Sequence, residues 1–187
     1  MNCESMHPGG LRLTDRAARL AGVSSGMSIA DIGCGSGAAL RYLKSKYDIT
    51  AAGCDISEEY IADAAASVPG AEFICCDAAY LQCEKAGADI VFCECALSGM
   101  NEPEQVLKNI LGLLRTGGRL VISDIYAKTV SDALWTKQKL YNMLTESGFD
   151  ILIEEDHTPA LVTYAAEHYG SGCASLGYTL VIAGKNI

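Results

Sequence analysis

The sequence predicts an α/β domain: a single doubly wound sheet, mostly parallel, with helices on both faces. Short apolar runs alternate with helical stretches along the chain. The runs are close to continuously apolar, as strands buried on both faces must be. At 187 residues the chain is long enough for one substantial core and short for two.

In order, His7-Pro8-Gly9-Gly10-Leu11-Arg12-Leu13-Thr14 precedes a helical stretch and reads as a turn with Thr14 as an N-cap. Met27 to Ile32 is a first strand ending at a glycine cluster. Ala38 to Lys46 is a helix with Leu40 and Leu43 on one side. Ile49 to Cys54 is a second strand closed by Asp55. The alanine-rich stretch Glu58 to Ser67 is a helix stopped by Pro69-Gly70. Ala71 to Cys76 is a third strand closed by Asp77, and Asp89 to Cys95 a fourth. Glu104 to Leu114 has helical spacing and ends before Gly117-Gly118. Arg119 to Ser123 is a strand, Ser131 to Ser147 a helix, Phe149 to Ile153 a strand, Pro159 to His168 a short helix, and Tyr178 to Ala183 a last strand. The connection Asp156 to Gly177 is too poor in helix for a parallel crossover, so an antiparallel final pair is expected.

Composition narrows function. Apolar residues make up 50% and charged residues 20%, the profile of a soluble globular chain. The net charge of −9 leaves no cationic footprint for nucleic acid or anionic lipid. No apolar run reaches the ~18–20 residues that span a bilayer, and Met1 to Gly10 lacks the order of a signal peptide. Nine cysteines, an odd number without a disulfide ladder, suit a reducing cytoplasmic location and read mainly as small core hydrophobes. No histidine lies at zinc-ligand spacing, so no metal site is expected.

In such a sheet a ligand sits beyond the carboxyl ends of the strands, where strand order reverses. Those ends carry Asp31-Ile32-Gly33-Cys34-Gly35-Ser36-Gly37, then Asp55, Asp77 and Cys93-Glu94. Glycines allow a tight turn and close backbone approach, and the following helix aims free amides at the same point. Asp55, 18 residues after Gly37, stands where a carboxylate accepts from ribose hydroxyls. The loop by itself also satisfies a dinucleotide fingerprint through Gly33, Gly35 and Ala38. Asp31, in reach of a ligand ammonium, and Asp77, in reach of an adenine amine, favour another cofactor.

With these motifs, and with Gly53-Cys54-Asp55-Ile56-Ser57, Cys76-Asp77-Ala78, Ala88-Asp89-Ile90-Val91 and Leu113-Leu114-Arg115-Thr116-Gly117-Gly118, the sequence resembles the class I S-adenosylmethionine-dependent methyltransferases over nearly its whole length. Thr116 stands where the family usually has proline. The resemblance implies a Rossmann-like, seven-stranded sheet with its last strand antiparallel, and S-adenosylmethionine as cofactor. It implies that Gly33, Cys34 and Gly35 line the methionine moiety, that Asp55 holds the ribose, and that Ile56 lies on the adenine. Asp77 and the Ala78 amide would read the adenine edge, and the Cys93 carbonyl with Asp31 would receive the amino group. Residues 1–26 would form an N-terminal segment and helix over the cofactor within one domain, 1–187, that has no separate cap.

The expected acceptor is a small molecule. Glu94, Tyr126 and His157 are the candidate bases, with Asp124 beside them. A base is needed only if the acceptor must lose a proton. Because Tyr126 to Val130 leads almost directly into a helix, the substrate must be covered by the N-terminal segment, by Thr158 to Tyr178, or by the partner in a homodimer. Asp89 to Cys95 and Ser123 to Ala127 also look like strands of arsenite methyltransferases. Cys93 and Cys95 would share a strand face, and Cys173 would have to fold back to join them. The alternative from another class is a cofactor-binding protein with little catalysis.

Overall fold

The computed structural model describes residues 7–81, 87–170 and 173–185. Residues 1–6 of the expected N-terminal cover lie outside them. The sheet has seven strands in the order β3-β2-β1-β4-β5-β7-β6. The strands are β1 (Ser28–Ile32), β2 (Thr50–Asp55), β3 (Glu72–Cys75), β4 (Ala88–Glu94), β5 (Leu114–Ala127), β6 (Phe149–Asp156) and β7 (Leu176–Lys185). β1 to β5 pair in parallel, and β7 runs antiparallel to both β5 and β6. Strand order therefore reverses between β1 and β4, as a doubly wound sheet requires.

The helices are α1 (Gly10–Ala21), α2 (Ala38–Lys46), α3 (Glu58–Ser67), α4 (Pro103–Leu113), α5 (Lys137–Glu146) and α6 (Thr158–Tyr169). Successive strand residues face opposite layers. Val91, Cys93, Leu120 and Ile122 pack with Val106, Leu107 and Ile110 of α4 and Leu140 and Leu144 of α5. Ile90, Phe92, Val121 and Leu180 pack with Leu13 and Ala17 of α1, Leu40 and Leu43 of α2, and Leu161 of α6. Both faces of the central strands are thus covered, which accounts for their unbroken apolar runs.

Boundaries differ from the sequence reading at several elements, β6 and β7 among them, which run to Asp156 and from Leu176 to Lys185. α1 begins at Gly10 behind a left-handed Gly9, so Thr14 lies inside the helix and is no cap. α5 begins at Lys137 because Thr136 accepts a hydrogen bond from the Lys139 amide and stops the helix extending back to Ser131. β5 is longer than Arg119 to Ser123 at both ends, because β7 pairs with it from Arg119 through Ala127 and Leu114 pairs with Ala88 across a bulge.

Candidate functional site

Three positive backbone angles build the loop after β1. Gly33, Gly35 and Gly37 have φ of 76°, 51° and 78°, a region where a Cβ is strained. Gly33 faces a wall as well: a Cβ there would stand 2.5 Å from the Ala96 Cβ. The amides of Gly33 and Cys34 both donate to the Cys54 carbonyl, at 2.8 and 3.0 Å, which folds the loop against β2. α2 then starts without a side-chain cap, and Ser36, Ala38 and Ala39 form part of the cavity wall. An uncapped helix start offers partial positive charge to whatever binds there.

Two acids from neighbouring strands share that cavity. Asp55 Oδ2 accepts from the Gly35 amide at 2.9 Å and Oδ1 from the Ser57 amide at 3.0 Å, so it ties the loop to the end of β2. Asp77, just past β3, accepts from the Ala79 amide at 2.9 Å and starts a short 3-10 turn. With Ile56, Tyr60, Cys76 and Ala78 they line a cavity of about 370 Å³, within the ~300–1,000 Å³ typical of small-ligand sites. Asp31 lines it too and is 3% exposed. Burial, and then the charges of Glu94 and Asp55, push its carboxyl well above the usual carboxylate range.

Glu94 lines the same cavity. Its side chain is 4% exposed and accepts from the hydroxyls of Thr14 at 2.9 Å and Ser123 at 3.5 Å. His7 Nε2 stands 3.3 Å from the Thr14 hydroxyl and 3.7 Å from Glu94, while Nδ1 donates to the Pro8 carbonyl at 3.1 Å. Burial raises the Glu94 carboxyl above its usual range, opposed by His7, Thr14 and Ser123. Next to it Cys95 has φ of 53°, the only positive value at a non-glycine among the described residues. Such strained backbone tends to gather at functional sites. Desolvation of its sulfur, and then the charges of Asp124 and Glu94, push the thiol of Cys95 up to about 12, although the residue as a whole is exposed.

The cavity brings together Asp31, Gly33, Cys34, Gly35, Asp55, Ile56, Asp77, Ala78 and Glu94. Cys93, whose carbonyl was expected to receive the amino group, is not among its lining residues, and its thiol packs in the core under α4 and α5. Nor is Tyr126. It sits inside the β5–β7 pairing with its ring over Gly177, and Lys137 lies 5.4 Å above that ring. His157 is held by Glu155 at 3.1 Å and lines a separate groove with Gly9, Arg12, Leu13 and Arg16. Asp124 does not line the cavity. Its carboxylate accepts from the Ser98 amide and hydroxyl and from the Ile125 amide, at 2.9, 2.6 and 2.7 Å, and so anchors the turn after β4. Cys93 and Cys95 do not share a face, because β4 ends at Glu94 and the backbone turns at Cys95. Cys173 packs against the opposite core layer.

The sequence reading did not name Tyr60, Met100 and Asn101, which line the cavity, and it placed His7 only within the covering segment 1–26, without its contacts to Thr14 and Glu94. His7 stands seven residues before Thr14 and 87 before Glu94 in the chain, and no local pattern signals such a contact.

Residues 30–122 match the family model described as a methyltransferase domain. The methyltransferase GfsG of Streptomyces halstedii is 30% identical over 162 residues, covering 83% of this chain and 58% of that protein. Phosphoethanolamine N-methyltransferase 3 of Arabidopsis thaliana is 24% identical over 167 residues, covering 80% of this chain and 34% of that protein. The chain therefore spans between a third and three fifths of the length of these two relatives. Among solved structures, phosphoethanolamine N-methyltransferase 2 of Haemonchus contortus, in complex with phosphomonomethylethanolamine and S-adenosylhomocysteine, superposes with a TM-score of 0.81 at 18% identity, covering 97% of this chain and 54% of that one. The cyclase SpnF does so with a TM-score of 0.81 at 22% identity, covering 95% and 82%. At these identities the structural likeness is one of fold.

Proposed function

The chain belongs to the class I S-adenosylmethionine-dependent methyltransferase family, and from that premise we propose that it methylates a small-molecule acceptor. The observation that carries this reading is the convergence of Asp55, Asp77 and the glycine loop on one cavity. The residues there suit S-adenosylmethionine. Asp55 accepts one amide hydrogen bond at each oxygen, which leaves lone pairs for the two ribose hydroxyls. Ile56 is 71% exposed beside them and offers an apolar face for the adenine. Asp77 and the Ala78 amide stand where the adenine edge would be read. Burial and like charges disfavour the ionised form of Asp31, and a ligand ammonium beside it favours that form.

The bound cofactor supplies an electrophilic methyl group on a sulfonium. The protein's part is orientation, worth up to ~7–11 kcal/mol of barrier in favourable cases. Gly33 and Gly35 bring backbone close to the ligand, and the start of α2 offers its free amides. Glu94, also on the cavity lining, is the candidate proton acceptor. His7 lines the cavity, so the N-terminal segment supplies part of the cover the reading asks of it. No helix among the described residues is long and apolar enough to cross a membrane. Free thiols at the described cysteines fit a cytosolic location.

Calorimetry with S-adenosylhomocysteine and NAD, followed by turnover on an acceptor panel, tests the proposal. S-adenosylhomocysteine should bind and NAD should not. Asp55→Ala and Asp77→Ala should each weaken the nucleoside by at least ~10-fold, about 1.4 kcal/mol. Tight binding without turnover on any acceptor would leave a binding protein, and absence of binding would remove the cofactor assignment.

A further inference from the structure

We propose that the cavity binds a small amine as its ammonium ion at Glu94 and passes the amine's proton along a Glu94–Thr14–His7 chain. The proposal rests on the methyltransferase reading and names its acceptor class.

Charge is the first argument. The cavity is lined by Asp31, Asp55, Asp77 and Glu94, and by no lysine or arginine among the described residues. A phosphate or carboxylate on the acceptor would meet like charge, with His7 as the one basic group facing it. Three of the acids are engaged by the cofactor in the reading above. Glu94 is left, nearly buried, its carboxyl raised by desolvation. A cation beside it recovers that cost, whereas a neutral alcohol does so only in part.

Geometry is the second. The Pro8 carbonyl can only accept, so His7 Nδ1 carries a hydrogen and Nε2 is the nitrogen turned to Thr14 and Glu94. The hydroxyl of Thr14 lies between them, 2.9 Å from Glu94 and 3.3 Å from Nε2. The ammonium gives one proton to the Glu94 carboxylate and becomes a neutral amine with a free lone pair. With Glu94 protonated, the Thr14 hydroxyl turns its hydrogen from Glu94 to His7 Nε2, and the Glu94 O–H proton then passes to Thr14 Oγ while the Thr14 hydroxyl proton moves to Nε2. Glu94 is ionised again and the charge rests on the imidazolium. No oxidant or further reactant enters. The other groups facing Glu94 are Asp31 on β1, Ser123 on β5, Cys95, and Tyr178 on β7. None of them carries a positive charge. Glu94 touches the acceptor, and His7 is a positioning residue acting through Thr14.

The test uses the full chain loaded with S-adenosylhomocysteine and three fragments of similar size: propylammonium, 1-propanol and propionate. Their binding is followed by ligand-observed NMR. Propylammonium should bind at least ~10-fold more tightly than propionate and several-fold more tightly than propanol, with affinities in the millimolar range expected of fragments. Glu94→Gln should erase the preference. Propylammonium affinity should also fall at low pH as Glu94 is protonated. His7→Gln should move that acid limb to higher pH, because His7 holds the carboxyl down, and a purely structural histidine would leave the limb in place. Should Glu94→Gln fail to fold, the His7→Gln shift carries the test. Equal or tighter binding of propionate or propanol, or no binding of any fragment to the loaded protein, overturns the proposal. Failure of S-adenosylhomocysteine to bind the wild-type chain would instead remove the reading beneath it.

Discussion

Asp124 shows how one carboxyl can be fully bonded and still weigh on the fold. Its oxygens hold the turn Leu97–Gly99 through Ser98 and its own strand through Ile125. Burial nevertheless pushes its pKa from 3.8 up to about 6. A carboxyl whose folded pKa is raised contributes stability that is fully present below its unfolded pKa and is lost as pH rises through the folded one. Between about pH 4 and pH 7 the wild type should therefore lose roughly 3 kcal/mol relative to Asp124→Asn, whose amide does not titrate. The amide variant starts out less stable, since its NH2 would face amide donors that now meet an oxygen. Urea unfolding of both proteins across that range measures the difference in slope. Parallel curves would mean that Asp124 is ionised throughout, as an exposed carboxyl would be.

At the scale of elements the glycine loop and the turn after β4 act as one part. Gly33 carries φ of 76° and has no room for a Cβ against Ala96. Gly33→Ala should push the loop and the turn apart, lower stability by ~1–3 kcal/mol and weaken S-adenosylhomocysteine by at least ~10-fold. Thermal unfolding with and without ligand reads both effects. Intact binding would show that the loop does not shape the site. The loop was legible in the sequence because its signals are local: three glycines and acids at strand ends. α3 was legible from Glu58 to Ser67 for a similar reason, since Ser57 caps one end by accepting from the Tyr60 amide and Pro69-Gly70 stands past the other. What escaped depends on partners far away in the chain. β5 runs through Thr116-Gly117-Gly118 and on to Ala127, neither stretch plainly strand-like, because β4 and β7 pair with it. Tyr126 looked like a residue at a strand end until that pairing placed its ring over Gly177. The contact between Thr14 and Glu94 spans 80 positions, and one threonine in a helix gives no sign of it.

Across the whole molecule, charge and site point the same way. The chain carries −9, and its cavity opens between Asp31, Asp55, Asp77 and Glu94. S-adenosylmethionine has a sulfonium, an ammonium and a carboxylate, for a net charge of about +1, whereas S-adenosylhomocysteine lacks the sulfonium charge and is neutral overall. The field of an acidic molecule steers the first and not the second, and a cleft lined by one sign of charge focuses that field. Screening should undo the difference. From about 0.01 M to about 0.5 M ionic strength the Debye length falls from ~30 Å to a few Å, shorter than the approach path. The association rate of S-adenosylmethionine should then drop several-fold, while that of S-adenosylhomocysteine changes little. Stopped-flow binding of both ligands over the salt series gives the ratio. A ratio independent of salt would mean that capture is governed by contacts inside the cavity, and that the surplus of 9 negative charges has no part in selecting the methyl donor over its spent form.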